Sequence, residues 1–385
     1  MIAGRINGIA CIDHVVGHVY STGGSLWEFN GGSTGTTRDF NLLNAAYIQD
    51  FGAIPNDITK ADDNFTAIRS ALLAVLFTNE SDVWDAIEVQ NQIRITAGEY
   101  FINGNSPLRI SGQELVSLGS LSGYRRGLKI SGDGVNNTIL TLLSDSGSDV
   151  WFYDSTDGET NPPTWGYQFN TYEGITFRDD KWNDNPNDQR ASGSKVNGWN
   201  LNSSGWEGWP EWTQCQFNSL DTINKFTGSS TDDHVRWTNV KVGSCRDHVF
   251  YIDNNQSVGH VLQGCEINCT GDVFRILSGG WASMDGSSVI LNERTINGLP
   301  AKDTTVRAFF HYDPTGASSG GQYRNQSFTF KHLTFETYDE YYRIVHCVGN
   351  SVNSMVNVKF EDCSWATEHE VPAGGGASTV PSLGS

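Results

Sequence analysis

A short apolar–polar pattern recurs six times in the second half of the chain. In each copy an apolar residue and a polar residue precede a corner position, which is followed by an apolar–polar–apolar alternation. The copies are Tyr172–Phe177, Trp212–Phe217, Trp237–Val242, Leu262–Ile267, Phe330–Phe335 and Phe360–Trp365. The alternation has the period of a half-buried strand. The corner residue is mostly of a type that tolerates a left-handed bend. Each copy therefore predicts a strand, a corner and a second strand.

The spacing of the copies predicts stacked coils. Their second apolar residue recurs after 25 residues at Cys215, Val240 and Cys265, and after 30 residues from Leu333 to Cys363. A further strand recurs at Ile223–Phe226, Val249–Ile252, Val273–Ile276 and Tyr341–Ile344. A unit this short cannot bury its apolar face alone and must stack on its neighbours. We predict an all-β fold, a right-handed parallel β-helix with about 25 residues per coil, climbing about 4.8 Å per coil.

Two larger gaps interrupt the spacing. They are 40 residues from Ile175 to Cys215 and 68 residues from Cys265 to Leu333. We interpret the first as one coil with an insertion and the second as several degenerate coils, with inserted loops at about 179–211 and 281–327 in a β-helix domain spanning 46–366. Residues 367–385 form a Gly-, Ala-, Ser- and Pro-rich stretch without a core pattern, which predicts a flexible tail.

The cysteines fit the repeat. Cys215, Cys265 and Cys363 occupy the same inward position as apolar residues in the other copies, so we predict small core residues in a stacked ladder. Seven cysteines cannot all pair in disulfides. No second cysteine pair or nearby histidine completes a zinc set around Cys265, so no metal site is predicted.

An amphipathic helix is predicted after about residue 61. Phe65, Ile68, Leu72 and Val75 fall on one helical face, and Asp62 or Asp63 is placed to cap the N-terminus. Such a helix would cover the open end of the solenoid, whose unpaired strand edges otherwise invite aggregation.

The segment before and after this helix resembles the opening of the pectate-lyase-like superfamily. The resemblance rests on Asp50–Ala53 before the Asp62–Asp63 helix, then on 98–102 and 130–140, and it covers roughly residues 46 to 145. It implies a parallel β-helix. The superfamily includes lyases, hydrolases and proteins without enzymatic activity, so the chemistry stays open.

Residues 1–45 indicate which class of β-helix protein to expect. The stretch 23–34, with Leu26, Trp27 and Phe29 among glycines, is similar to the lead-in of phage tailspikes. That resemblance implies a homotrimer in the virion tail, attached to other tail proteins through residues 1–45. It also implies action at the host cell surface, where a tailspike binds, and often cleaves, a host surface polysaccharide.

Charge and hydropathy exclude other classes. A net charge of −19 argues against a nucleic-acid partner, which requires basic clusters. No apolar run approaches the length of a membrane span, so no membrane insertion is expected. The N-terminus also lacks the basic and apolar segments of a secretory signal.

Candidate chemistry concentrates between residues 179 and 234. Cleavage of a glycosidic bond by hydrolysis needs two carboxyl groups about 5–9.5 Å apart. The candidate catalytic residues are Asp180, Glu207, Glu211, Asp232 and Asp233. The candidate substrate-binding residues, in which flat apolar rings offer stacking surfaces for sugars, are Trp182, Trp199, Trp206, Trp209 and His234.

Plainer interpretations of the same residues stay open. Carboxylates in turns usually bond their own backbone, and a tryptophan cluster also suits a subunit interface. No cofactor is predicted. The acidic stretch 180–188 is the one candidate for Ca²⁺, but it lacks the spacing of an EF-hand and is better explained as a solvated loop.

The sequence thus predicts a phage tailspike that recognises, and is a candidate to depolymerise, a bacterial surface polysaccharide. One alternative is a virion fibre that binds or builds structure without catalysis. The other is a free polysaccharide lyase or glycoside hydrolase, against which the missing signal peptide and the lead-in segment count.

Overall fold

The structure is a computed structural model. It describes residues 5–6, 9–10, 19–22, 25–29, 40–42, 45–78, 92–111, 113–114, 128–144, 149–156, 170–180, 195–203, 210–228, 235–254, 257, 259–292, 305–316, 326–338, 341–348 and 356–367.

Strands dominate the described residues. The first are β1 (Arg5–Ile6), β2 (Ile9–Ala10), β3 (Val19–Thr22), β4 (Ser25–Phe29), β5 (Phe40–Leu42), β6 (Ala46–Tyr47), β7 (Gln92–Arg94), β8 (Gly98–Asn103), β9 (Lys129–Ser131), β10 (Thr138–Leu143), β11 (Asp149–Asp154), β12 (Thr171–Glu173), β13 (Thr176–Asp179), β14 (Lys195–Ser203) and β15 (Glu211–Thr213). They continue with β16 (Gln216–Gly228), β17 (Arg236–Thr238), β18 (Lys241–Asp253), β19 (His260–Gln263), β20 (Glu266–Cys269), β21 (Asp272–Ser278), β22 (Trp281–Asp285), β23 (Ser288–Leu291), β24 (Arg307–Tyr312), β25 (Gln326–Lys331), β26 (Thr334–Thr337), β27 (Tyr342–Cys347), β28 (Val356–Glu361) and β29 (Ser364–Thr367). Helix α1 spans Ala61–Thr78, and short 3₁₀ helices span Ile48–Phe51, Ile58–Lys60 and Pro314–Gly316.

The strands from β6 onward form the parallel sheets of a β-helix. A ten-stranded sheet, here sheet 1, runs β6-β7-β9-β12-β15-β17-β19-β22-β25-β28. A fourteen-stranded sheet has two arms that share β16 and β18. Sheet 2 is the arm β8-β10-β13-β16-β18-β20-β23-β26-β29, and sheet 3 is the arm β11-β14-β16-β18-β21-β24-β27. Because spatial order follows chain order in every sheet, each strand pairs with its counterpart in the next coil.

The corner of the repeat has the predicted left-handed backbone. The corner residues of all six copies have positive φ: Gly174 (65°), Gln214 (51°), Asn239 (53°), Gly264 (63°), His332 (51°) and Asp362 (51°). The prediction of a strand, a corner and a second strand is therefore confirmed.

A seventh copy was hidden in the larger gap. β22 and β23 meet at Gly286, which has φ 58°, and β22 pairs in parallel with β19 and β25. The prediction of an inserted loop over all of 281–327 is therefore wrong, because β22, β23 and β24 are regular strands. The pattern missed this copy because Ser287 takes the apolar position. Its hydroxyl accepts a hydrogen bond from the Cys265 N–H at 2.9 Å, which makes a polar residue acceptable in a buried site.

Two other predicted boundaries also change. β14, within the predicted loop 179–211, pairs with β11 and β16. In sheet 3 the register places Val345 opposite Phe310 and Cys347 opposite Tyr312. Ile344 therefore aligns with Val273, three residues before Ile276. The prediction that Ile344 aligns with Ile276 is wrong.

The core is a stack of aromatic side chains between the sheets. The rings of Tyr172 and Trp212 stack at 5.5 Å, and those of Trp212 and Trp237 lie 6.3 Å apart. Cys215 and Cys265 are buried, as predicted, whereas Cys363 is half-buried. Burial raises the pKa of the Cys215 thiol to about 12 and that of Cys265 to about 11. Every cysteine in the described ranges is a free thiol.

Helix α1 packs beside the first coils. Its predicted face is buried at Ile68, Leu72 and Val75. Asp62 and Asp63 lie in the first turn and do not cap the helix, since the helix begins at Ala61 directly after a 3₁₀ turn. Acidic residues in the first turn still interact favourably with the helix dipole. In the part of the chain that the structure describes, no helix is both long and apolar enough to cross a membrane.

The N-terminal segment contacts the β-helix. β3, β4 and β5 form an antiparallel sheet. Trp27 of β4 is fully buried, with its ring centroid 6.3 Å from that of Phe51. The Ser25 backbone N–H donates to the Asp50 carboxylate at 2.9 Å. These contacts join the two segments that the sequence divides at about residue 45.

Gly286 allows a direct test of the corner. Nothing lies within 4 Å of a Cβ added at this residue, so a substitution there meets backbone strain alone. We expect Gly286→Val to lower the free energy of unfolding by about 1–2 kcal/mol, measured by urea denaturation. Gly286→Asn is the matched control. It should cost less, because Asn239 adopts the same conformation in an equivalent corner. Equal costs for the two variants would contradict the assignment.

Candidate functional site

The outer face of sheet 3 carries a row of unlike polar residues. The register aligns one residue from each of its seven strands: Asp154, Asn200, Lys225, Tyr251, Arg275, His311 and His346. We call this row the outer ladder. It alternates with core residues such as Phe226, Ile252 and Ile276 and so faces away from the core. Strands about 4.8 Å apart give it a length of roughly 29 Å.

The first half of the ladder centres on Lys225. Its ammonium lies 5.8 Å from the centre of the Trp151 ring and 6.0 Å from that of Tyr251. On the neighbouring strand, the Asn200 amide donates to the Asp154 carboxylate at 2.9 Å. This half therefore combines a cation held by aromatic rings with an amide and a carboxylate.

The second half is a connected ionic network. Asp272 accepts from the Ala308 N–H at 2.7 Å, and its other oxygen lies 3.0 Å from His311 Nδ1. Arg275 Nη1 lies 2.8 Å from Nδ1 and 2.6 Å from Nε2 of His311, so the guanidinium covers the imidazole. Arg275 Nη2 donates to Asp313 at 2.7 Å. Arg275 Nη1 also lies 3.9 Å from the Asp272 carboxylate, so two carboxylates share the Arg275 cation.

Burial and neighbouring charges set the ionisation of this network. Partial burial acts to raise the pKa of Asp313, but the hydrogen bond from Thr315 and the Arg275 guanidinium outweigh it and hold that pKa below its usual value. Burial lowers the pKa of His346, and the adjacent His311 lowers it further. His346 is therefore mainly neutral at pH 7 and can both donate and accept hydrogen bonds.

The arrangement suits a long polar ligand lying across several coils. Tyr251 presents a ring and a hydroxyl, and His346 presents an imidazole that can form hydrogen bonds. The Asn200 amide nitrogen donates to Asp154, and its oxygen is buried. No group of three or more His, Cys, Asp or Glu side chains placed to hold a metal ion occurs among the described residues. The chemistry that the ladder offers is stacking, hydrogen bonding and the charge of Lys225, since the Arg275 guanidinium is held by Asp313 and Asp272.

Trp199 was wrongly predicted to stack on a sugar. Its side chain is 1% exposed, and its ring lies 4.9 Å from Phe177 and 5.0 Å from Trp212. The indole N–H donates to the Tyr172 hydroxyl at 3.1 Å. The Gly- and Asn-rich surroundings suggested a loop, but Trp199 lies in β14 and points into the core.

Two candidate carboxylates lie within the described ranges, and they lie in different sheets. Asp180 follows β13 of sheet 2 and accepts from the Ser144 N–H at 3.3 Å. Glu211 is in β15 of sheet 1 and pairs with Arg236 at 3.4 Å. Both therefore have structural partners. The other candidates, Trp182, Trp206, Glu207, Trp209, Asp232, Asp233 and His234, lie outside the described residues.

The outer ladder was not predicted from the sequence. Lys225, Tyr251 and Arg275 are the third residues of the recurrent segments Ile223–Phe226, Val249–Ile252 and Val273–Ile276. Their spacings of 26 and 24 residues match the coil. The sequence signal for the ladder was therefore present in the polar positions of these segments. It was overlooked because the repeat was recognised by its apolar positions.

Comparison with known proteins adds little. No family model and no curated protein matches the chain. Among solved structures, the Azotobacter vinelandii mannuronan C-5 epimerase AlgE4 A-module is 14% identical with a TM-score of 0.29, covering 85% of this chain and 98% of that one. Geobacillus virus E2 ORF18 is 10% identical with a TM-score of 0.33, covering 90% and 68%. The A. vinelandii AlgE6 A-module is 12% identical with a TM-score of 0.24, covering 83% and 99%. TM-scores this low carry no inference about function.

The position of Trp199 predicts a cost to stability when it is truncated. We expect Trp199→Ala to lower the free energy of unfolding by about 3–5 kcal/mol in urea denaturation, because a buried indole leaves a cavity. Trp281→Ala is the control, since that side chain is 42% exposed; its effect should stay within about 0.5 kcal/mol. A stable Trp199→Ala protein would show that this residue lies outside the core.

The ionic network predicts a pH-dependent contribution to stability. The lowered pKa of Asp313 means that its charge stabilises the fold above its unfolded pKa, near 4, and that this contribution is lost as the pH falls through the folded pKa. Arg275→Gln should cost about 1–3 kcal/mol at pH 7 in urea denaturation, and the cost should shrink towards pH 3.

Arg236→Gln is the matched control for this network. Its pair with Glu211 is largely exposed, with side chains 62% and 41% accessible, so its effect should be small at every pH. An Arg275→Gln cost that does not change with pH would refute the proposed coupling to the carboxylates.

Proposed function

We propose that this protein is a phage tailspike that recognises a bacterial surface polysaccharide through the outer ladder. The observation that carries the proposal is the ladder itself, in which polar and aromatic residues follow one another over seven strands. Five of them are partly exposed, whereas Asp154 and His311 are buried. A linear polysaccharide presents sugar rings and hydroxyls at a comparable spacing along its length. The ladder is thus a suitable surface for a polymer lying along the solenoid.

Sheet 1 provides the contrast that supports this assignment. Its outer face carries ion pairs between neighbouring strands, such as Lys129 with Glu173 at 2.5 Å and Lys331 with Glu361 at 2.6 Å. Exposed pairs of this kind are typical of a solvated surface and contribute little to binding or stability. The first half of the outer ladder instead places Asn200, Lys225 and Tyr251 in succession, and these three residues form no ion pair with one another.

The virion role rests on the tailspike-like lead-in within residues 1–45. In this proposal that segment attaches the protein to other tail proteins, the β-helix is right-handed and assembles as a homotrimer, and α1 covers the first coil. The buried Trp27 supports a fixed orientation between the lead-in and the solenoid. Depolymerisation by Glu207, Asp232 or Asp233 stays a separate proposal, and recognition through the ladder does not depend on it.

Tyr251 gives the sharpest test of recognition. We expect Tyr251→Ala to weaken binding to immobilised capsular polysaccharide or lipopolysaccharide about 3- to 10-fold, through loss of a stacking ring, as measured by surface plasmon resonance. Tyr338→Ala is the control, because that ring is 42% exposed and Tyr338 follows β26 of sheet 2, outside the outer ladder. Absence of binding by the unaltered protein across a broad polysaccharide panel would refute the proposed function.

A further inference from the structure

Lys225 differs from the other lysines in the described part of the chain. Each of the others pairs with a carboxylate: Lys60, Lys129, Lys195, Lys241, Lys331 and Lys359. Lys225 contacts the rings of Trp151 and Tyr251 and forms no ion pair with a described residue. In a chain with a net charge of −19, carboxylates are abundant, so an unpaired lysine is unexpected.

Its surroundings hold the ammonium in place without neutralising it. Cation–π contacts orient the charge over the rings, yet they leave its hydrogen-bond donors available to another partner. The Lys225 ammonium lies over both rings, which favours one position of a long flexible side chain. Lys225 is partly exposed and lies within the outer ladder, beside Asn200 and Tyr251. A cation that is oriented in this way and forms no ion pair among the described residues is suited to bind an anion.

We infer that the glycan recognised by the outer ladder is acidic and that Lys225 binds its anionic group. This inference rests on the proposed function and names the class of its ligand. The group is a carboxylate, sulfate or phosphate carried by a sugar stacked near Tyr251. Repulsion between an acidic polymer and the acidic protein is screened beyond about 8 Å at physiological ionic strength, so the direct contact decides the preference.

The test compares acidic bacterial polysaccharides with their neutralised forms. Each member of an immobilised panel is used in its native form and after carboxyl reduction, desulfation or dephosphorylation, whichever its acidic group requires. We expect the unaltered protein to bind at least one native polymer about 10-fold more tightly than its neutralised form. The treatment that abolishes the preference identifies the anionic group.

The Lys225→Met variant then tests whether the preference for the acidic polymer depends on this residue. Methionine keeps an unbranched apolar side chain between the rings and removes the charge. The variant should bind native and neutralised polymers equally and should bind the neutralised one as tightly as the unaltered protein does. Lys225→Arg should retain the preference. Lys241→Met, which removes a lysine that pairs with Glu266 at 2.9 Å, should leave the preference unchanged.

Each result decides the inference. Equal binding of native and neutralised polymers by the unaltered protein, or a preference that survives Lys225→Met, would overturn it while leaving recognition through the ladder intact. Failure of the unaltered protein to bind any polymer would instead overturn the proposed function. Circular dichroism and urea denaturation of the Lys225→Met protein separate loss of the charge from loss of the fold.

Discussion

Parallel hydrogen bonding between each strand and its counterpart in the next coil is the constraint on which the structure depends. It places equivalent residues directly above one another, so one choice of side chain must suit a whole row. The inward rows become aromatic stacks, as with Tyr172, Trp212 and Trp237. The corner row must repeat a left-handed backbone, and it accepts Gln214 and His332 as well as glycine because the coils on either side impose the bend.

Rows of this kind explain what the sequence could predict. The inward rows and the corner carry a repeated chemical requirement, so their pattern was visible without coordinates. The copy at Gly286 was missed where a hydrogen bond to the Cys265 N–H lets Ser287 replace an apolar residue. Trp199 was wrongly assigned to a loop because the prediction used the composition of its neighbours along the chain and not its pairing partner in the sheet. That partner is Asn224, paired across β14 and β16, and such a contact leaves no local signal.

The outer ladder was missed for a different reason. Its residues share a position but not a chemical type, because solvent does not impose a common requirement on an outward row. Asn200, Lys225 and Tyr251 therefore look like ordinary polar positions of a repeat until the register aligns them. The candidate catalytic carboxylates were instead chosen where acidic residues are most frequent along the chain. Of these, Asp180 directly follows a strand of sheet 2 and Glu211 lies in a strand of sheet 1, so crowding along a chain does not imply proximity in a solenoid.

The two halves of the ladder each stabilise a cation, but they do so with different kinds of side chain. Around Arg275, carboxylates and an imidazole enclose the cation, which fixes its geometry and leaves little of its charge for a ligand. Around Lys225, the described contacts of the ammonium are aromatic rings, and the Asp154 carboxylate in the same half of the ladder is bonded by Asn200. The ammonium therefore keeps its affinity for anions. The ionic half thus has its cation held by carboxylates, and the aromatic half is where selectivity for a ligand can arise.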